Sequence, residues 1–306
     1  MKRAIILAAV LTMVVCTGTD ASAQRKAKKS RLVLDGSAVY VNTQVKATPA
    51  EEKMRVKGKP GIEISPTKTV FLYPQGQNVN QGIVEDGVAV TQGPLVSNGL
   101  KGPETADEWG GIQNITDSAR IDIFIPKNPN GQMVITCPGG GYWGLSTWLE
   151  GTYVAKWMND RGIACVVLKS RLPNGHHQVP LQDVQNAFRY CRHHAKDWGI
   201  KQIGVMGFSA GGHLASTAAT MYVDSTTRPD FAALIYPVIL MDEKATHQGS
   251  VDNLLGGEAS WTGREGKTFT QWYNGLNEYD GLKRMYTTYH DVTPTTPPTF
   301  IGVSTY

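Results

Sequence analysis

The sequence is poor in cysteine, in charge and in long apolar runs, and each shortage excludes a class of protein. Four cysteines in 306 residues are too few for a disulfide-dense secreted scaffold. Outside the N-terminal leader, no apolar run approaches the ~18–20 residues that a bilayer-spanning helix needs, so no membrane span is predicted. A charged fraction of 18% beside a hydrophobic fraction of 41% argues against intrinsic disorder and predicts a globular chain with a large core.

The positive charge is concentrated near the N-terminus. The formal net charge is +4, yet residues 24–60 alone contain ten Lys and Arg residues against three acidic ones. Residues 61–306 carry a net charge of −4, so the body lacks the basic surface that nucleic-acid binders need, and no nucleic-acid partner is predicted. Residues 24–60 are predicted to form a basic arm, either a solvated linker or an attachment to an anionic envelope surface.

Residues 1–23 have the pattern of a secretory signal peptide. Lys2 and Arg3 precede an apolar run over 4–16, and Ala21 and Ala23 form a small-residue cleavage site before Gln24. The run is of signal-peptide length. Export to the periplasm or the extracellular space is therefore predicted.

The remaining cysteines and the histidines show no metal-site spacing. Cys137, Cys165 and Cys191 each lie in an apolar pattern, which predicts buried thiols rather than disulfides. The histidine pairs at 176–177 and 193–194 are adjacent in the chain, and helix neighbours do not share a face. No metal and no cofactor is predicted.

From about residue 69 the hydrophobic pattern alternates between strands and helices. Strands are predicted at 69–73, 120–125, 132–137, 163–168, 202–206, 231–236 and 299–303. Helices are predicted at 149–160, 181–198 and 210–222. This order predicts an α/β fold over residues 61–306, with a mostly parallel sheet covered by helices on both faces.

The regular pattern breaks over residues 240–297. This segment is rich in aromatic residues, namely Trp261, Trp272, Tyr273, Tyr279, Tyr286 and Tyr289. A long insertion between sheet strands is typical of a cap over a functional site. The aromatic rings could stack on sugar faces or could anchor the insertion to the body.

Residues 207–213 carry the strongest chemical signal. The sequence G-F-S-A-G-G-H lies between a predicted buried strand and a helix. In this context G-x-S-x-G predicts a nucleophile elbow, because glycines permit the tight turn that exposes Ser209. The helix N-terminus behind the serine favours the negative charge that develops there. A Gly-rich connection with a capping serine is the alternative.

Residues 138–142, P-G-G-G-Y, follow an earlier predicted strand of the same sheet. Three glycines let backbone N–H groups approach a reacting oxygen, as in the oxyanion loops of this kind of enzyme. Trp143 and Tyr142 adjoin the loop and are predicted to line the substrate pocket. A glycine loop of this kind before the elbow strengthens both assignments.

With these motifs the chain resembles the α/β-hydrolase fold, in its bacterial esterase and lipase branch that includes acetylxylan-esterase-like carbohydrate esterases. The segments that carry the resemblance are V-I-T-C-P-G-G-G-Y-W at 134–143, R-L-P-N-G at 171–175, P-L-Q-D-V-Q-N-A-F-R-Y at 180–190, I-G-V-M-G-F-S-A-G-G-H-L-A-S at 203–216 and Y-P-V-I at 236–239. The resemblance implies Ser209 as nucleophile, with oxyanion donors from the N–H groups of Ala210, Gly140 and Gly141. It implies a small acyl ester or acetylated oligosaccharide as substrate.

Two members of the expected triad have no counterpart in the sequence. Hydrolases of this fold run Ser, then Asp or Glu, then His, with the last two after the strand that corresponds to 299–303. No histidine follows His290, and the chain ends at Tyr306. We therefore expect a C-terminally truncated domain without its last strand, last helix, acid and His, and nearly inactive as it stands. His213 is predicted to be a packed, hydrogen-bonded residue rather than the base.

Three functions remain open on the sequence alone. The first is a carboxylic-ester hydrolase that works through an acyl-enzyme and deacetylates fragments of plant polysaccharide. The second is a serine peptidase of the same fold. The third is a catalytically dead remnant that binds carbohydrate through Trp143, Trp148 and the aromatic insertion.

Overall fold

The computed structural model describes residues 64–73, 82–93, 100, 104–107, 110–116, 119–242, 245–263 and 265–303. The predicted signal peptide and basic arm lie outside these residues. Within them, no helix is both long and apolar enough to cross a bilayer.

Seven strands form the central sheet. In spatial order they are β1 (Lys68–Phe71), β6 (Arg120–Phe124), β9 (Ala164–Lys169), β7 (Gln132–Cys137), β10 (Gln202–Phe208), β11 (Ala232–Ile235) and β12 (Thr299–Gly302). The five strands from β9 to β12 are parallel, whereas β6 runs antiparallel to both of its neighbours. The sheet is thus mostly parallel, as the sequence predicts.

Short strands form two smaller sheets beside the central one. They are β2 (Val84–Glu85) paired with β3 (Val88–Ala89), and β5 (Gly111–Gln113) between β4 (Thr105–Ala106) and β8 (Leu145–Ser146). The sequence analysis predicted none of them, because two or three residues are too few to show alternation.

The helices are α1 (Tyr153–Asn159), α2 (Gln178–His194), α3 (Ala210–Thr220), α4 (Gln248–Leu255), α5 (Glu258–Thr262) and α6 (Phe269–Met285). A π-helical turn at Trp148–Thr152 replaces the first part of the helix predicted at 149–160. Gly151 in this turn packs on β9, where a Cβ would lie 2.6 Å from Val167. Helix α2 begins before its predicted start because Pro180 is tolerated in a first helical turn.

The helices cover both faces of the sheet. Strand β10 shows why, since its side chains alternate between two apolar clusters: Ile203 and Val205 join one, and Met206 and Phe208 join the other. The first cluster also contains buried residues of α2 and α3, and the second contains those of α1. Cys137, Cys165 and Cys191 are buried free thiols, as predicted.

The insertion is anchored to the body by part of its aromatic set. Tyr279 and Tyr286 are buried in the larger apolar cluster, and Trp261 packs against that cluster and stacks on Tyr279. Phe269 and Tyr273 remain exposed and stack on each other with centroids 6.1 Å apart. The anchoring role considered for these aromatic residues is therefore correct for three of them.

Candidate functional site

The nucleophile elbow and the glycine loop leave the sheet side by side. Strands β7 and β10 are parallel neighbours with Cys137 opposite Gly207, so the residues after them meet at one edge of the sheet. A Cβ added to Gly139 would lie 3.0 Å from the Cβ of Ser209 and 2.4 Å from the carbonyl oxygen of Phe208. Only a glycine permits this approach of the loop to the serine.

Ser209 has the backbone geometry of a strained turn. Its φ of +54° and ψ of −121° lie in a backbone region that residues other than glycine rarely adopt. The turn is held because its N–H donates to the carbonyl of Ile235, and its own carbonyl accepts from the N–H groups of His213 and Val238. The side chain is half-buried at the N-terminal end of α3. The strand–turn–helix context predicted from the sequence is present.

The glycines around Ser209 are required by close packing. A Cβ on Gly207 would lie 2.0 Å from the carbonyl oxygen of Gly211, and a Cβ on Gly211 would lie 2.1 Å from that of Cys137. The start of α3 therefore rests directly on the backbone at the end of β7. This contact fixes the distance between the serine and the glycine loop.

The backbone N–H groups of the glycine loop divide into two sets. That of Gly139 donates to Oε2 of Glu150 at 2.7 Å. Those of Gly140 and Gly141 donate to no group in the described part of the chain. The N–H of Ala210 belongs to the first turn of α3, whose donors lack intrahelical partners. The three predicted oxyanion donors are thus free to meet a ligand.

Glu150 is a site residue that the sequence analysis missed. Its carboxylate accepts from the N–H of Gly139 and, at 2.6 Å, from the hydroxyl of Tyr236. Burial raises the pKa of Glu150, and these two hydrogen bonds oppose that rise. The carboxylate ties the π-helical turn to the glycine loop and to the end of β11. A lone Glu in a helical pattern gives no signal of such a role.

The insertion also contacts the glycine loop. The amide of Asn253 in α4 donates to the carbonyl of Gly141 at 2.8 Å. His247, which caps α4, has its Cε1 3.8 Å from where a Cβ of Gly141 would lie. Its Nδ1 accepts from the backbone N–H of Ser250. The insertion therefore contacts the glycine loop, and its role as a cap stays a prediction.

Tyr142 and Trp143 have different positions. The exposed fraction of Trp143 is 65%, so its indole is available to a ligand beside the loop. Tyr142 is 7% exposed and its hydroxyl bonds Nδ1 of His213 at 2.8 Å. The ring of Tyr142 thus packs against His213 behind the loop. That Tyr142 and Trp143 line the substrate pocket stays a prediction.

His213 is a structural residue, as predicted. It is fully buried, and its Nε2 donates to the carbonyl of Tyr286 at 2.7 Å. Nδ1 is then the acceptor for the Tyr142 hydroxyl, so both ring nitrogens are occupied. Burial lowers the pKa of His213 to about 4, although the Tyr286 bond opposes the shift. The ring links the glycine loop, α3 and the end of α6, and it has no nitrogen left to serve Ser209.

This histidine predicts a pH dependence of stability. Its folded pKa of about 4 lies below the ordinary 6.5, so the unfolded chain binds more protons between these values. The free energy of unfolding therefore has its full value above pH 6.5 and decreases as the pH falls to 4. At ~1.4 kcal/mol per pKa unit, the decrease is about 3 kcal/mol. Urea unfolding of the wild type and His213→Gln across this range measures it. The two stability curves should converge at low pH; parallel curves would contradict the assignment.

The Ser209 hydroxyl forms no hydrogen bond with a histidine or carboxylate in the described part of the chain. His177 bonds the Tyr286 hydroxyl, and His290 lies 3.6 Å from Asp242. The prediction that the sequence supplies no acid and no His for the triad remains a prediction.

The pair His193 and His194 lies close to a third residue of metal-ligating type, which the spacing of the pair along the helix does not show. Their ring centroids are 4.8 Å apart, and Glu85 from the β2–β3 hairpin approaches both of them. The spacing of residues along a helix describes that helix alone, whereas here the third group, Glu85, comes from strand β2.

A groove of about 600 Å³ lies beside Trp148, with Asp122 and Lys169 among its other lining residues. Ser209 does not line it. The paired motifs, rather than the size of this groove, therefore define the candidate site.

Comparison with known proteins agrees with this architecture. Residues 121–250 match the family model described as BD-FAE. Together with the strand order and the elbow, this match decides the fold. The chain has the α/β-hydrolase fold. The resemblance to the esterase and lipase branch of that fold is confirmed.

Part of the chain is similar to two curated proteins. It is 44% identical over 149 residues to an acetylxylan esterase of Xylanibacter ruminicola, an alignment that covers 47% of this chain and 31% of the relative. It is 34% identical over 139 residues to endo-1,4-beta-xylanase B of Butyrivibrio fibrisolvens, covering 40% and 22%. The chain thus spans less than a third of each of these relatives.

Among solved structures, the chain is similar to an acetyl ester-xyloside bifunctional hydrolase from Caldicellulosiruptor lactoaceticus. The TM-score is 0.46 at 30% identity, and the match covers 60% of this chain and 65% of the other.

Proposed function

We propose that the chain is a serine carboxylic-ester hydrolase that removes acetyl groups from carbohydrate esters, such as acetylated xylan fragments. The observation that carries this proposal is the contact of Gly139 with Ser209, which sets a strained serine beside a loop with free N–H groups. The acetylxylan esterase relative supports the substrate class.

The chemistry is acyl transfer. The Ser209 oxygen attacks the ester carbonyl carbon, its proton passes to a base, and the carbonyl oxygen becomes an oxyanion. The N–H groups of Gly140, Gly141 and Ala210 are the proposed donors to this oxyanion. Collapse expels the sugar alcohol, which takes up a proton, and leaves an acetyl-serine. Water then attacks the acetyl-serine and releases acetate.

We assign no residue of this chain to the base or the acid. Without them, an oxyanion hole and substrate binding supply a residual acceleration of about 10³–10⁴ over water. We therefore expect slow turnover by this chain, and the acyl-enzyme is a sharper readout than the rate.

The test is covalent labelling of Ser209. We expect an activated acetyl ester or a fluorophosphonate to modify the peptide containing Ser209, as located by mass spectrometry, and Ser209→Ala to abolish that modification. Turnover of the same ester is the weaker readout, because the oxyanion hole and substrate binding accelerate hydrolysis even without the serine. Ser225→Ala is the control, because Ser225 is exposed and follows the C-terminal end of α3, whereas Ser209 precedes its N-terminal end.

Equal labelling of Ser209→Ala and the wild type would refute the assignment of Ser209 as the nucleophile.

Trp143 supports a second candidate function, because its exposed indole beside the glycine loop could stack on a sugar ring. Binding of acetylated xylo-oligosaccharide without any serine adduct would favour this carbohydrate-binding role over hydrolysis.

A further inference from the structure

A cluster of metal-ligating side chains lies away from the candidate active site. His193 and His194 are the last two residues of α2, and Glu85 belongs to strand β2. One potential ligand atom from each residue lies within 4.8 Å of those of the other two. The end of α2 leads into the start of β10, so the cluster sits toward the opposite end of that strand from Ser209.

The His194 ring is held in place by its neighbours. It stacks on Trp198 with an interplanar angle of 25° and lies 4.5 Å from the centroid of Tyr190. Its Nδ1 is 4.0 Å from the carboxylate of Asp197. A carboxylate near the second nitrogen of a ligating histidine is the usual outer partner in metal sites, because it orients the ring.

The nitrogen that faces Glu85 has no hydrogen bond. Nε2 of His194 lies 2.7 Å from Oε2 of Glu85, yet the contact does not have hydrogen-bond geometry, and the atom is buried from solvent. Buried polar atoms in folded proteins are ordinarily satisfied by a partner. This nitrogen, the Glu85 carboxylate and the second imidazole are three groups that one metal ion can bind together.

We propose that Glu85, His193 and His194 bind one Zn²⁺ ion that fastens the β2–β3 hairpin to the C-terminal end of α2. Two imidazoles and one carboxylate with water at the fourth position form a common zinc coordination set. Imidazole nitrogen favours Zn²⁺ over Mg²⁺ and Ca²⁺, which take oxygen ligands. The proposed role is to link the hairpin to the helix, and it is independent of ester hydrolysis.

Lys68 limits the affinity of this site. Its ammonium donates to the Tyr190 hydroxyl at 2.9 Å, and the charge of Glu85 contributes to raising the pKa of Lys68. Because Lys68 carries a positive charge that acts on Glu85, we expect Lys68 to weaken zinc binding.

Zinc titration of the tag-free chain tests the proposal, with affinity measured by calorimetry and by competition with a chromogenic chelator. We expect one Zn²⁺ per chain, and affinity reduced about tenfold or more in His193→Ala and in Glu85→Gln. His193 is exposed, so its replacement should leave the fold intact. His176→Ala is the matched control and should bind zinc as the wild type does.

Thermal unfolding gives an independent readout. Zinc at about a hundredfold excess over its Kd should raise the Tm of the wild type by about 5 °C, and that of His193→Ala by much less. Unchanged affinity in both ligand variants would overturn the proposal. So would an equal loss in His176→Ala, or one ion bound per two chains with dimer formation. Because none of these readouts involves an ester, their failure leaves the proposed hydrolase function unaffected.

Discussion

Asp183→Ala is expected to lower the free energy of unfolding by about 3–5 kcal/mol, the cost of leaving a buried charge without its partner. The partner is Arg171, whose exposed fraction is 2% beside 0% for Asp183. The Asp183 carboxylate accepts from the backbone N–H of Arg171 and from its guanidinium, with shortest distances of 2.7 Å. It also accepts from the Tyr73 hydroxyl at 2.7 Å.

This effect would remove a large part of the 5–15 kcal/mol that stabilises a typical domain. Urea unfolding measures it, and Asp160→Ala is the matched control. Asp160 pairs with Lys156 on the surface of the chain, so its loss should cost no more than about 0.5 kcal/mol. Asp183→Asn, which keeps the shape but removes the charge, should fall between the two. If the free energy of unfolding of Asp183→Ala were within about 1 kcal/mol of the wild-type value, the buried-pair argument would be contradicted.

Gly211→Ala is expected to destabilise the protein by about 3 kcal/mol, at the upper end of overpacking costs. The added Cβ would meet the carbonyl oxygens of Cys137 and Pro138 at 2.1 and 2.5 Å, and backbone cannot move aside as a side chain can. The start of α3 must then shift away from β7. We expect the labelling of Ser209 to fall with it, because the serine moves away from the glycine loop.

Gly281→Ala provides the control with the opposite sign. Gly281 is an exposed residue within α6, and a Cβ there would meet nothing within 4 Å. Alanine should stabilise this helix by about 0.5–1 kcal/mol through its better helix propensity. Thermal denaturation compares the two variants. If Gly211→Ala were as stable as Gly281→Ala, the tight contact between the elbow and β7 would be refuted.

The strands and motifs of the candidate site could be predicted from local pattern. The strand Gln132–Cys137 has its predicted bounds because an apolar run between a Gly turn and a Pro-Gly loop leaves little choice. Strand β10 extends two residues beyond its prediction, up to the elbow. The glycines of both motifs are needed for tight turns and close backbone approach, and their spacing in the sequence indicates this.

The supports of the site could not be predicted in this way. Glu150 and Asn253 reach the glycine loop from a π-helical turn and from the insertion, and neither belongs to a motif. Tyr142 adjoins the loop in sequence, but nothing in the local sequence shows that its hydroxyl bonds His213. Such contacts depend on how distant segments pack, which no local periodicity encodes.

The sequence by itself determined the α/β class, the position of the serine between strand and helix, and the glycine loop, because each follows from short-range sterics and periodicity. Only the tertiary structure decided which N–H groups of that loop are free, that His213 is a structural link, and that Glu85 joins two helix-end histidines. The physical reason is tertiary packing: β7 pairs with β10, the β2–β3 hairpin packs beside the end of α2, and the insertion contacts the glycine loop. These bring together residues whose separation along the chain conceals their contact.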